Sequence, residues 1–166
     1  MSDLIWRREF LCGIEVMDDQ HKMLVTQINE LRTAIRSQNH SAIDSVLDDL
    51  IDYTTSHLEF EHALMRDAGC STLAIEHRQT YDPFLRLLSD FRRRVYTDKN
   101  VADELNGVLS CWLLEHVQHH QNASSEPDRM RLRDLARDRR EGGWLSQALK
   151  CFFRPEHASK LSEHAG

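Results

Sequence analysis

Apolar residues return along this chain at alternating steps of three and four, and they do so in four runs. In the second run Ile43, Leu47, Leu50, Thr54, His57, Glu61 and Leu64 share one face, the seam of a helix packed in a bundle. The first run reads Met17, His21, Leu24, Ile28, Leu31, Ile35, and the third His77, Tyr81, Phe84, Leu88, Phe91, Val95. The fourth reads Leu105, Leu109, Trp112, His116 and then His119 or His120. Val, Ile and Thr form no alternating stretches, so the pattern predicts an all-α fold, an up-down-up-down four-helix bundle over about residues 18–122.

Local signals divide the chain. Residues 1–17 read as extended, with Trp6 as a hydrophobic plug across the end of the bundle. Asp18 or Asp19 is suited to cap the first helix, and Ser41 with Asp44 reads as a capping box for the second, which runs to about Arg66. Asp67-Ala68-Gly69 breaks the chain before a third helix from Ser71 or Thr72. Pro83 cannot donate to the carbonyl of Gln79, so a kink is expected there. The loop at residues 97–100 precedes the fourth helix, and Asn122 to Ser125 with Pro127 close the bundle. The predicted division is a bundle at 1–125 and a helical tail at 126–166. In the tail a mixed-charge helix runs from Asp128 to Arg140, followed by a Gly142-Gly143 hinge and an amphipathic patch. That patch is expected to fold back and bury Trp144 and Phe152; the alternative is a docking surface for a protein partner or a second copy.

Composition narrows the class. At 166 residues the chain suits one domain with a real core. A net charge of −6 argues against nucleic acid as the main partner. No stretch approaches the roughly 20 apolar residues of a membrane span, and MSDLIWRREF is no signal peptide, so a cytoplasmic protein is expected. Cys12, Cys70, Cys111 and Cys151 form no CxxC, which speaks against a zinc ribbon or a disulfide framework.

The seams carry the chemistry. Each of the four places a histidine inward (His21, His57, His77, His116), and Glu61 sits one turn beyond His57 on the same face. Buried imidazoles and a buried carboxylate are expensive to desolvate unless something compensates them. A metal in a cavity midway down the bundle is the expected compensation. Imidazole with carboxylate and no seam cysteine favours iron, manganese or zinc.

These residues resemble a known family. Trp6, Gly13-Ile14, Asp18 and Gln20-His21-Lys22, then His57-Leu58-x-x-Glu61, His77 and Trp112-Leu113-x-x-His116-Val117, are similar to the hemerythrin motifs over about residues 4–121. The resemblance implies a four-helix bundle holding two non-haem irons that bind dioxygen. It makes His21 and His57 ligands of the iron that receives dioxygen, Glu61 a bridge, and His77 and His116 ligands of the other iron. Leu24, Leu58, Trp112, Leu113 and Val117 match positions lining the oxygen pocket. Two positions depart from the pattern: Tyr81 stands where the family has a histidine, and Gln121 where it has a bridging Asp. Tyr81 reads either as a phenolate ligand or as core, and His120 as a substitute ligand in place of Gln121. The functional reading is an iron protein that binds or senses dioxygen, peroxide or nitric oxide. The alternatives are an enzyme acting on peroxide or ferrous iron, and an interaction scaffold whose altered site holds zinc, a single metal or none.

Overall fold

The computed structural model describes residues 2–95, 97–98 and 100–163; Lys99 of the loop before the fourth helix and the last three residues of the tail lie outside them. Four long helices, α1 (Glu15–Arg36), α2 (His40–Asp67), α3 (Ser71–Val95) and α4 (Val101–Ala123), form the bundle. Each packs against its neighbour in sequence, and α1 also lies against α4, closing an up-down-up-down square with no strand among the described residues. The seams point inward as their period requires: Leu24, Ile28, Leu31, Leu47, Leu50, Leu64, Leu88, Phe91, Leu105 and Leu109 are all buried.

The helix starts differ from expectation, and the polar side chains explain why. The first helix begins a turn earlier, at Glu15, because Asp18 does not cap it. Its carboxylate instead accepts the amides of Cys12 at 2.8 Å and Gly13 at 3.2 Å, holding the bend where Gly13 takes φ +84. The second helix is capped by Asn39, whose side chain accepts from the amide of Ala42, and not by a Ser41–Asp44 box. The third helix runs on through Pro83 as one element.

Trp6 does not plug the end of the bundle. Residues 2–12 run back along the α1–α4 flank, where the side chain of Asn29 exchanges two hydrogen bonds with the backbone of Leu4. Trp6 thus lies half-buried at the level of His21, its ring 6.4 Å from that imidazole. Further along the same flank, buried Arg32 ties α1 to α4 through Asn106 and Ser110 at 2.7 and 2.8 Å.

The tail holds three short helices: α5 (Glu126–Ala136), α6 (Trp144–Phe152) and α7 (Pro155–Glu163). The expected charged helix ends four residues early, at Ala136, and α7 carried no apolar seam long enough to be read. The tail folds back on α2, with α5 and α6 against it and α7 against α6 and α1. There it covers Tyr53 and Phe60, which lie off the α2 seam yet are almost wholly buried. Phe153 stands 5.2 Å from Tyr53 and 5.9 Å from Phe60 between ring centres, and Trp144 packs edge-on to Phe60 at 5.5 Å. The Trp144 indole donates to Asp67 at 2.9 Å, and Arg154 pairs with Asp49 and Asp52. Phe153, not Phe152, is the ring that goes under; Phe152 and Trp144 stay half-buried. Truncating a buried phenylalanine costs about 3–5 kcal/mol. Phe153→Ala should therefore lower the unfolding free energy by about 3 kcal/mol in urea titrations, and Phe152→Ala by about 1 kcal/mol or less. Equal losses would mean that the tail does not pack as described.

Candidate metal centre

Four helices bring their inward polar groups to one level of the bundle. That level is not midway. His21 and His77 lie six residues into α1 and α3, and Glu61 six residues before the end of α2, so the cluster sits roughly 9 Å from one end. His21, His57 and Glu61 are 0 % exposed. The carboxylate of Glu61 is the centre of the group. Its Oε1 lies 3.3 Å from His21 Nε2 and 3.1 Å from His57 Nε2, and its Oε2 lies 2.9 Å from both His77 Nε2 and His120 Nε2. His116 Nε2 stands between the two sides, 3.3 Å from Oε1, 3.1 Å from Oε2 and 3.1 Å from His57 Nε2. The ligand atoms of His21, His57, Glu61 and His116 form one compact set, and those of Glu61, His77 and His120 a second. The resemblance pairs His116 with His77; its ligand atom also groups with those of His21, His57 and Glu61, and it lies slightly nearer Oε2 than Oε1.

Five nitrogens thus crowd one carboxylate, which offers about four lone-pair sites. Hydrogen bonds alone do not satisfy that arrangement. Two ligands about 2.1 Å from one ion and at right angles to it stand roughly 3 Å apart, the spacing seen here. The protonation states suit a cation as well. Burial alone would raise the Glu61 carboxyl, but the imidazoles around it, His116 and His120 foremost, outweigh burial and hold it well below the usual range. Burial pushes His57 well below its ordinary value and His116 down to about 3, against the pull of Glu61. At neutral pH this leaves an ionised carboxylate beside neutral His57 and His116. The donor set fits a borderline or hard divalent metal.

One supporting residue had not been assigned a role from the sequence. Gln20, fully buried, accepts from His57 Nδ1 at 2.7 Å, which places the proton on Nδ1 and turns the Nε2 lone pair toward Glu61. Its signal was the glutamine directly before His21. His62 is half-buried, its ring stacked on that of His77 at 6.4 Å. Gln121 turns away from the cluster and donates to the carbonyls of Glu9 and Leu11, so it holds the N-terminal segment. Tyr81 is buried with its ring 5.0 Å from His77, and burial raises its phenol above the ordinary value. Its hydroxyl makes no hydrogen bond among the described residues.

The five apolar positions do not share one cavity. Leu58 and Trp112 line a cleft of about 440 Å³ between α3 and α4, whose inner wall also carries His77, Tyr81 and His116. Leu113 and Val117 line a narrow space beneath Trp6 and Phe10, and Leu24 is buried core. Trp112 stacks on Phe84 at 4.4 Å and on His116 at 4.7 Å. Among the described residues no helix is long and apolar enough to cross a membrane.

Comparison with known proteins places these features in a family context. The hemerythrin HHE cation binding domain matches residues 12–123. A bacteriohemerythrin of Pseudomonas aeruginosa (strain UCBPP-PA14) is 39 % identical over 153 residues, covering 92 % of this chain and 99 % of the relative. One from Stenotrophomonas maltophilia is 34 % identical over the same shares. One from Methylococcus capsulatus is 27 % identical over 119 residues, 70 % of this chain and 90 % of its own length. An alignment of 153 residues does not fit within residues 12–123, so the first two relatives share sequence with the tail as well.

The geometry sets Glu61 apart from its neighbour. Glu61→Ala should weaken metal binding by more than about 100-fold, above what loss of a supporting residue costs. His62→Ala should leave the metal per chain unchanged. Elemental analysis after anaerobic loading with ferrous iron checks both; equal metal in the two variants would remove Glu61 from the centre.

Proposed function

The chain belongs to the hemerythrin HHE cation binding domain family, and on that premise we propose that it holds two iron ions and binds dioxygen at them. The observation that carries this reading is the split carboxylate of Glu61, each oxygen facing its own imidazole nitrogens. His21 and His57 would hold one ion beside Oε1, His77 and His120 the other beside Oε2, with His116 within reach of both. Iron in such a site supplies reversible electron transfer and an open coordination position for a small diatomic ligand.

The chain's own residues prepare the site. Gln20 orients His57, and the seam leucines with Trp112 exclude bulk water. The family's second carboxylate is absent here, so Glu61 alone offsets two divalent charges and leaves a net of about +3 in the core. Tyr81 is the group that restores the balance. Burial keeps it a neutral phenol without metal, and a nearby ferric ion is a positive charge strong enough to ionise it. In this reading Tyr81 would serve as a ligand on the His77 side, where a phenolate would favour ferric iron.

The test is optical. Iron-loaded, reduced protein should gain a visible band on exposure to dioxygen and lose it under argon. The oxidised protein should carry a broad phenolate band that Tyr81→Phe abolishes. A reduced spectrum indifferent to dioxygen would overturn the dioxygen reading. A Tyr81→Phe spectrum identical to wild type would return Tyr81 to the core.

A further inference from the structure

The α3–α4 cleft is where the buried cluster meets solvent. His21, His57 and Glu61 are sealed, but the side chains of His77 and His116 keep 6 % and 9 % exposure, and both line this cleft. At about 440 Å³ the space is far larger than a diatomic molecule requires. Its mouth on the α4 side carries Glu115 and His119, one helical turn apart and both exposed. Neither makes an ion pair or a side-chain hydrogen bond among the described residues. In contrast, Asp48, Asp49 and Asp52 on the outer side of α2 are all engaged by Arg92 or Arg154.

We propose that this cleft is the port through which divalent metal enters the centre, with Glu115 and His119 as the capture site at its mouth. The inference rests on the reading that the core cluster holds metal. A hydrated dication approaching the bundle meets a free carboxylate and a free imidazole on one face of α4. Next along the same helix and the same wall it meets His116, whose Nε2 already touches both oxygens of Glu61. The donors thus form a relay from solvent to the carboxylate at the core. The need for a capture site follows from the charge of the centre itself. The core's one carboxylate, Glu61, is fully buried behind its imidazoles, where it attracts a distant cation weakly. A surface carboxylate at the entrance raises the local cation concentration, an effect worth 10- to 1000-fold in association rate when charges are focused at a cleft.

The test is the rate of loading, with cobalt(II) as the probe. Metal-free full-length protein is mixed with Co2+, and the visible absorption of the imidazole-bound ion is followed by stopped flow. Final occupancy is measured separately by competition with a chelator. The double variant E115Q/H119Q should load about tenfold more slowly and reach the same occupancy with the same spectrum. Thr80→Trp, which narrows the cleft from the α3 side, should also slow loading. Glu30→Gln, the loss of an exposed carboxylate elsewhere on the bundle, should not. A wild-type rate in both cleft variants, or equal slowing by Glu30→Gln, would overturn the port. A double variant with reduced final occupancy would make these residues equilibrium ligands and also overturn it. Failure of the wild type to bind cobalt would instead overturn the metal-centre reading beneath it.

Discussion

One carboxylate organises this protein. Glu61 is ionised at the centre of a helical bundle with no exposure, a state that in an apolar core would cost several kcal/mol. The bundle tolerates it by directing an imidazole at it from α1, one from α2, one from α3 and two from α4. Each of those residues occupies a position that packing alone would give to leucine or valine. The centre is therefore maintained at the expense of apolar burial, and the leucine-rich remainder of the seams supplies the stability that this region forgoes.

Helix α2 provides both His57 and Glu61, and it is also the helix that the tail covers. Its inward seam packs on α1 and α3, while Tyr53 and Phe60 on its outward side lie under Phe153 and Trp144. A helix held on two faces has little freedom to shift or rotate, so the geometry of Glu61 is backed by packing on the far side of its own helix. The aromatic residues of the tail are spent on this contact. That the two relatives aligned over 153 residues extend into the tail is consistent with its being part of the folded unit.

The periodic part of the structure was legible in the sequence because heptad spacing states directly which side chains face inward. His21, His57, Glu61, His77 and His116 fall in one core on that basis alone. What periodicity does not carry is depth, partner choice and contacts made off the seam. Tyr53 and Phe60 lie off the α2 seam, and their burial depends on the tail that covers them. Phe152 and Phe153 are adjacent, and only the angle at which α6 meets α2 decides which is buried. Asp18 has the chemistry of a helix cap, but here the Gly13 bend takes its carboxylate. His116 reaches both oxygens of Glu61 because α4 crosses at a particular depth, a fact of three dimensions that spacing does not contain.

The departures at positions 81 and 121 leave the imidazole-and-carboxylate core intact, and the account stands on that core binding two ions. Anomalous X-ray scattering from crystals of the iron-loaded protein, recorded at the iron edge, tests this most directly. The account predicts two peaks per chain, one beside each oxygen of Glu61 and roughly 3.5–4 Å apart as in other two-metal sites. A single peak, or a cluster free of iron with Glu61 hydrogen-bonded to its histidines alone, would contradict it.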